Sequence, residues 1–384
     1  MNKQQIIEGK IVKHQALTFD DILLLPGFTD FKRSDADLSS ALHPNIILKV
    51  PIISSPMDTV TEAAMAIAIA SAGGLGVIHR NVTVADQASI VRETKKAQVT
   101  SPDSSATDSS GRLLVGAAVG IGSDFDERLE ALIDASIDLV VIDSGHGYTK
   151  VMVESVKTIK SRYPSLPVMA GNIATYDGAS TLIEAGADML RVGMGPGSIC
   201  TTRIVTGMGV PQISAIAAVV RATERSNVTV IADGGIRQMG DMAKALAFGA
   251  QAVMLGSLLA RMEESPGERI EVDGKRFKSY RGMGSVGAMK KGGAERYGQL
   301  RTTEEKKLIA EGVEGLVPIS GSVGDYMMQV SGSIRSSFYY IGAKTLTEFF
   351  EKSRVIKISN AGLLESHPHN IAIVNSGKNY NIIE

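Results

Sequence analysis

The sequence predicts an α/β fold, an eight-stranded (β/α)₈ TIM barrel with a long mobile flap after the last strand. Three observations carry the prediction. Short apolar runs recur at residues 50–54, 74–78, 113–119, 139–142, 167–170, 189–192, 228–232 and 252–255. They are near-continuous rather than alternating, as parallel strands covered on both faces should be. Helical patterns lie between them, among them 61–72, 126–135, 148–161, 175–185, 212–226 and 239–248, several ending in glycine signals such as Phe248-Gly-Ala. Polar or glycine residues follow each strand, from Ser54-Ser55 to Asp143-Ser-Gly-His146, Asp233-Gly-Gly235 and Gly256-Ser257. In a parallel barrel those ends share one face, where active sites are built. An open doubly wound sheet is the alternative, but it calls for a G-x-G-x-x-G turn after the first strand, and Ser54-Ser-Pro-Met-Asp58 is not one.

In chain order, residues 1–97 hold an N-terminal segment and the first two β/α units. Within them Leu17-Thr-Phe-Asp-Asp-Ile-Leu-Leu-Leu-Pro-Gly27 reads as a lead-in packed across one end of the barrel, closed by a Pro-Gly turn. Residues 98–111 are Ser-rich with few apolar anchors and read as a flexible linker before the third strand. Residues 112–384 complete the barrel. Their insertion, rich in Gly, Lys and Arg, reads as a mobile active-site flap over about residues 281–332, too glycine-rich at Arg281-Gly-Met-Gly-Ser285 for a rigid core element.

Composition narrows the function. With 384 residues, 40 basic and 41 acidic side chains, the chain buries a sizeable core and has no bulk field for nucleic acid or an anionic membrane. The single cysteine excludes an intrachain disulfide framework, and no apolar run is long enough to span a bilayer. A cytoplasmic protein is expected. The 16 methionines fall partly in loops, where flexible thioethers can line a site that changes shape, although gap-filling in the core accounts for many.

Chemistry concentrates after the sixth strand, in Leu190-Arg-Val-Gly-Met-Gly-Pro-Gly-Ser-Ile-Cys-Thr-Thr-Arg203. Glycines at every second position let main chain approach a ligand, and the loop presents Cys200, a candidate nucleophile. The plain alternative is a buried structural cysteine. The loops at Asp233 and Gly256, joined by Gly197-Ser198, offer amides and hydroxyls suited to a phosphate. Asp233 would repel that phosphate; its carboxylate suits a cis-diol, so a ribose phosphate is indicated, with a loop-capping aspartate as the other reading. Asp143 could contact a second ligand or form an Asx turn, and His146 stands open between function and surface. The six histidines show no zinc spacing.

At these residues the chain resembles the inosine-5′-monophosphate (IMP) dehydrogenase family. The resemblance runs from the Leu17 lead-in to Glu365-Ser-His-Pro-His369, is specific over Leu190 to Thr202, and is interrupted at residues 98–111, where family members usually insert paired CBS regulatory modules. GMP reductase shares the barrel and the Cys loop; Glu295-Arg-Tyr-Gly-Gln299 and Glu311-Gly-Val-Glu-Gly-Leu-Val-Pro318 resemble the dehydrogenase flap instead. One departure is Gly298, where many dehydrogenases carry an aromatic residue.

The resemblance implies NAD-dependent oxidation of IMP to xanthosine monophosphate (XMP) in guanine nucleotide biosynthesis. Cys200 would form a covalent purine adduct, hydrolysed after the flap closes. It implies Arg296 as water-activating base with Tyr297 beside it, and Thr202 relayed through Glu311 as the other base. Ser55, Ser198, Asp233, Gly235, Gly256, Ser257, Tyr280, Gly282, Met283, Gly284 and Glu311 would hold IMP. Asp143, Asn172, Arg191 and Gly193 would face NAD⁺ or the shared base region. Carbonyls of Gly195, Gly197 and Cys200 would bind K⁺, completed by Glu365, Ser366 and His367 of a neighbouring subunit in a homotetramer. Outside this class stands a non-catalytic purine-nucleotide-binding barrel.

Overall fold

The computed structural model describes residues 10–12, 15–300, 302, 304–374 and 377. Eight parallel strands close into a barrel: β1 (Ile52–Ser54), β2 (Leu75–Ile78), β3 (Val115–Val119), β4 (Leu139–Asp143), β5 (Val168–Ile173), β6 (Met189–Val192), β7 (Thr229–Asp233) and β8 (Ala252–Leu255). They pair in the order β7-β8-β1-β2-β3-β4-β5-β6, with β6 bonded back to β7. The helices between them are α1 (Ala63–Ser71), α2 (Val84–Lys96), α3 (Phe125–Asp134), α4 (Lys150–Arg162), α5 (Tyr176–Ala185), α6 (Gln212–Thr223) and α7 (Met239–Ala247). The sequence signals work locally: Thr83, Thr149 and Thr175 cap α2, α4 and α5 through their hydroxyls, and Gly186 stops α5 in the left-handed region. Among the described residues no helix is long and apolar enough to cross a membrane.

Strand alternation sorts the core into two shells. Ile53, Leu75, Val77, Leu139, Val141, Met169, Met189, Ile231, Ala252 and Met254 fill the barrel interior. Their neighbours Ile52, Ile78, Val140, Val168, Leu190, Val230 and Val253 face the helices. A hairpin of Ser40–His43 and Ile46–Leu48 contributes Leu42, Ile46 and Leu48 to the interior cluster.

The lead-in packs as expected. Phe19 and Ile22 are buried, Leu17 and Ser214 of α6 exchange hydrogen bonds, and Ile22–Leu24 pairs with Val355–Lys357. The linker does not behave as its composition suggests. Ala106 is fully buried in the interior cluster, its N–H bonded to the Ala70 carbonyl at 2.8 Å. Nearby Asp108 shares the buried ammonium of Lys95 with Asp138. One small apolar residue, one buried ion triad and turn-forming serines suffice to order a polar segment.

The flap likewise has a rigid base. Strands β9 (Arg269–Val272), β10 (Lys275–Arg281) and β11 (Glu314–Pro318) form an antiparallel sheet. Arg281 forks onto Asp58 in the loop after β1 (3.1 and 2.5 Å), which ties that sheet to the barrel. Between β10 and β11, Met289, Ala294 and Leu308 form a separate small core with Tyr297 against it. Helix α8 (Val323–Ile341) then returns the chain along the barrel, its buried Val330, Ile334 and Phe338 packed into the outer core.

Candidate active site

The barrel's own alternation builds the floor of the site. Two residues beyond Val141, Met189 and Ile231, the same inward face carries Asp143, Arg191 and Asp233. An apolar layer gives way to an ionic one at the C-terminal mouth, where sites of this fold lie. Arg191 bridges both carboxylates: Nη1 lies 2.6 Å from Asp143 and Nε 2.8 Å from Asp233. Asn172 donates from Nδ2 to Asp233 at 2.8 Å, while its buried Oδ1 has no partner among the described residues. Gln212 at the start of α6 donates to the carbonyls of Val192 and Asp233, pinning the ends of β6 and β7. Between them Gly193 has φ +152°, and a Cβ there would fall 2.1 Å from the Asp233 carbonyl. Only glycine fits.

The Cys loop closes over this floor. Cys200 is half-buried, its thiol donating to the Thr202 hydroxyl at 3.1 Å. The flap base clamps the loop as a short antiparallel bridge: Thr201 N–H bonds Glu311 O (2.9 Å), and Val313 N–H bonds Ile199 O (3.0 Å). Arg203 wraps back onto the loop, donating to Met194 O and Val210 O.

The distal flap sits in the barrel mouth. Its 3₁₀ turn Gly293–Tyr297 places Arg296 in an ion pair with Asp143, and Gly145 N–H donates to the Arg296 carbonyl at 2.8 Å. Tyr297 packs over Gly284, and its ring centre lies 5.9 Å from the Arg296 guanidinium carbon. Asp143 is therefore held by two arginines. Burial alone would raise its pKa, but Arg296 and Arg191 outweigh that and depress it to about 2. Burial would likewise lower Arg296, yet the Asp143 carboxylate prevails and raises it. This bears against a base role for Arg296 in the present arrangement: the guanidinium holds its proton more tightly here, not less. Burial, aided by Cys200, pushes the Tyr297 phenol up against the opposing pull of Arg296.

A cavity of about 410 Å³ lies between floor, loop and flap. It gathers Cys200, Thr202, Glu311, Arg296 and Tyr297 with Ser55, Ser198, Asp233, Gly235, Gly256, Ser257, Tyr280, Gly282 and Met283. Asn172, Arg191, Gly193, Gly195 and Gly197 line it as well. Tyr280 shares a hydrogen bond with Ser198, and its burial raises the phenol's pKa. The expectations for Asp143, Gly284 and Glu311 are modified. Asp143 does not line the cavity, because Arg191 and Arg296 cover it, so it meets no second ligand while the flap is seated. Gly284 supports Tyr297 rather than facing the cavity. Glu365, Ser366 and His367, expected to act from a neighbouring subunit, lie at the exposed end of helix Asn360–Glu365, outside this chain's own cavity lining. Glu311 meets the Cys loop through its backbone, and its side chain makes no hydrogen bond to Thr202.

Sequence reasoning missed lining residues that carry no motif. Thr18 and Asp20 arrive from the lead-in and Met254 from β8, whereas Met57, in the loop after β1, is one of the loop methionines expected to line a changing site. Met254 was discoverable, since it faces inward two positions after Ala252. Arg80 and Glu295, which pair across the barrel mouth, were also missed, because nothing local links residues so far apart.

Comparison with known proteins identifies what the chain is similar to. A family model described as IMP dehydrogenase / GMP reductase domain matches residues 16–369. An inosine-5′-monophosphate dehydrogenase of Borreliella burgdorferi is 45% identical over 399 residues, covering 94% of this chain and 98% of that protein. One from Halalkalibacterium halodurans is 39% identical over 487 residues, covering 98% and 100%. A third, from Rhizobium tropici, is 38% identical over 471 residues, covering 93% and 95%. The 487-residue alignment is far longer than this chain of 384, so that relative carries residues without counterpart here.

Proposed function

This chain belongs to the IMP dehydrogenase / GMP reductase family, and we propose that it oxidises IMP to XMP with NAD⁺. The observation that carries the reading is the meeting of Cys200, Arg296 and Tyr297 in one cavity, although the flap and the Cys loop are separate in sequence. Asp233 and the loops ending β1, β6 and β8 suit a nucleotide monophosphate: the carboxylate for a ribose diol, and glycine amides with Ser55, Ser198 and Ser257 for the phosphate.

In the first stage the Cys200 thiolate bonds to C2 of the hypoxanthine ring as that carbon loses hydride. NAD⁺, when bound, accepts the hydride. The residues fit such a cosubstrate in one respect: Asn172 Oδ1 is a buried acceptor awaiting a donor in the cavity wall. In the second stage water adds at C2, the C–S bond breaks, the thiolate is regenerated and a proton is released. Dividing the substitution this way replaces one difficult step by two easier ones.

The seated flap excludes bulk water and sets Arg296 and Tyr297 beside the adduct. Because Asp143 keeps Arg296 protonated, the guanidinium serves here first as a charge that orients water, and acts as base only if its pairing with Asp143 loosens. Thr202, bonded to the thiol, is the nearer proton relay. Asp143 faces the cosubstrate only once Arg296 withdraws.

The main-chain oxygens of Gly195, Gly197 and Cys200 are of the class that binds K⁺. One chain offers only that half of the site. The segment Glu365–His367 of a second copy would supply the rest, which is why a homotetramer is part of the reading. Residues 98–111 would stand where longer relatives carry a regulatory module.

Mixing the protein with IMP, NAD⁺ and K⁺ is expected to release NADH and leave a purine mass on Cys200. Cys200→Ala should lose both, a fall of at least about 10⁴-fold in turnover, since the nucleophile begins the chemistry. No NADH from protein that binds IMP would leave a binding barrel. Consumption of NADPH with GMP would identify a reductase.

A further inference from the structure

The seated flap makes two ionic contacts through consecutive residues of opposite charge. Arg296 meets Asp143, and Glu295 meets Arg80 at 3.8 Å. Their partners come from different elements, Asp143 from the last position of β4 and Arg80 from the loop after β2. Arg80 is 9% exposed and makes no hydrogen bond among the described residues; Glu295 is the one carboxylate within ion-pair distance. A nearly buried guanidinium is costly to leave without nearby negative charge, which Arg80 receives from Asp143 as well as from Glu295.

The loop after β3 is shaped around this contact. A Cβ at Gly122 would lie 2.5 Å from Glu295 Oε2, and one at Gly120 would lie 2.9 Å from Arg80 Nη1. Two glycines, in the run Val119-Gly120-Ile121-Gly122, thus leave room for the carboxylate and for the guanidinium. The docking has a charge register. A flap displaced by one residue would set either Glu295 against Asp143 or Arg296 against Arg80, repelling at that point and leaving the other site without its ionic partner.

We propose that Glu295 and Arg80 are positioning residues, a latch that fixes the register of the closed flap and thereby holds Arg296 and Tyr297 beside Cys200. The inference rests on the two-stage reading above. It assigns the latch to the hydrolytic half of the cycle, since the first stage uses Cys200 with the flap withdrawn.

The test compares wild type with Glu295→Gln and Gly122→Ala, both remote from the barrel core. Two readouts are taken. In rapid mixing with IMP and NAD⁺, the rate of NADH formation should be unchanged. Decay of the Cys200 adduct, followed by intact mass, should slow about fivefold for Glu295→Gln and less for Gly122→Ala, where the flexible carboxylate can shift. The Glu295→Gln difference should shrink in high salt, as a partly exposed ion pair requires. In unliganded protein, trypsin should cut the flap at Lys290 and Lys291 several-fold faster in both variants. Equal slowing of both stages, or unchanged adduct decay together with unchanged proteolysis, overturns the latch. If wild type forms no NADH, the functional reading fails by itself, and the proteolysis arm still decides whether Glu295 holds the flap. Arg80→Gln combined with Glu295→Gln should add little to either single change; additive effects would show that the two side chains act separately.

Discussion

Arg191 and Arg296 both pair with Asp143, yet they reach it in different ways. Arg191 stands on β6, bonded to β5 on one side and β7 on the other, and its inward direction follows from its place two residues after Met189. Arg296 stands on a 3₁₀ turn whose own core is Met289, Ala294 and Leu308. The first arginine belongs to the barrel and cannot leave without breaking it. The second is delivered by a segment that makes few apolar contacts with the barrel, and segments of that kind open at low free-energy cost. One carboxylate thus serves a permanent partner and a removable one, which suits the proposed cycle, in which the site admits a cosubstrate and later excludes water.

That contrast yields graded expectations. Arg191→Met should have the largest effect on stability, because Asp233 would lose the cation that pairs with it and Asp143 one of its two arginines. A loss of about 3–5 kcal/mol is expected by thermal or denaturant unfolding. A loss under about 1 kcal/mol would show that water or Asn172 compensates, and would place Arg191 with Arg296 as a dispensable partner.

Arg296→Ala should reverse the pattern, with unfolding nearly unchanged and adduct hydrolysis slowed about 100-fold while the first stage survives. Mass spectrometry of the Cys200 adduct during turnover reads this directly. Equal loss of both stages would mean that the flap arginine also shapes the first. A smaller effect is expected on pH. Asp143 has its folded pKa depressed to about 2, below its ordinary value of 3.8. Its stabilising contribution is therefore complete above about pH 5 and is lost as pH falls from about 4 through 2. The difference in melting temperature between wild type and Asp143→Asn should be constant from pH 8 to 5 and narrow below 4. A difference that changes near neutrality would point to another group.

Much of this was legible from the chain. The boundaries 189–192 and 252–255 agree with β6 and β8, because an apolar run bounded by turn residues specifies a buried strand locally. The Cys loop could be placed at the catalytic end because strand order in a barrel fixes which loops share a face. The linker and the flap base were misjudged for a common reason. Serine and glycine content reports how a segment behaves alone, whereas Ala106 is ordered by the interior cluster and β10 by its pairing with β9 and β11. The pairs Arg80–Glu295 and Asp143–Arg296 could not be read at all.

By itself the sequence determined the barrel and the glycine loop that presents Cys200, the proposed nucleophile, because hydrophobic patterning and turn chemistry act over a few residues. Only the tertiary structure decided that Asp143 is closed off by two arginines, that Arg296 keeps its proton, and that Glu295 lands on Arg80. Those facts depend on charges brought within a few ångströms by chain closure, and Coulomb energies in a buried site are set by distance and burial, not by separation along the chain.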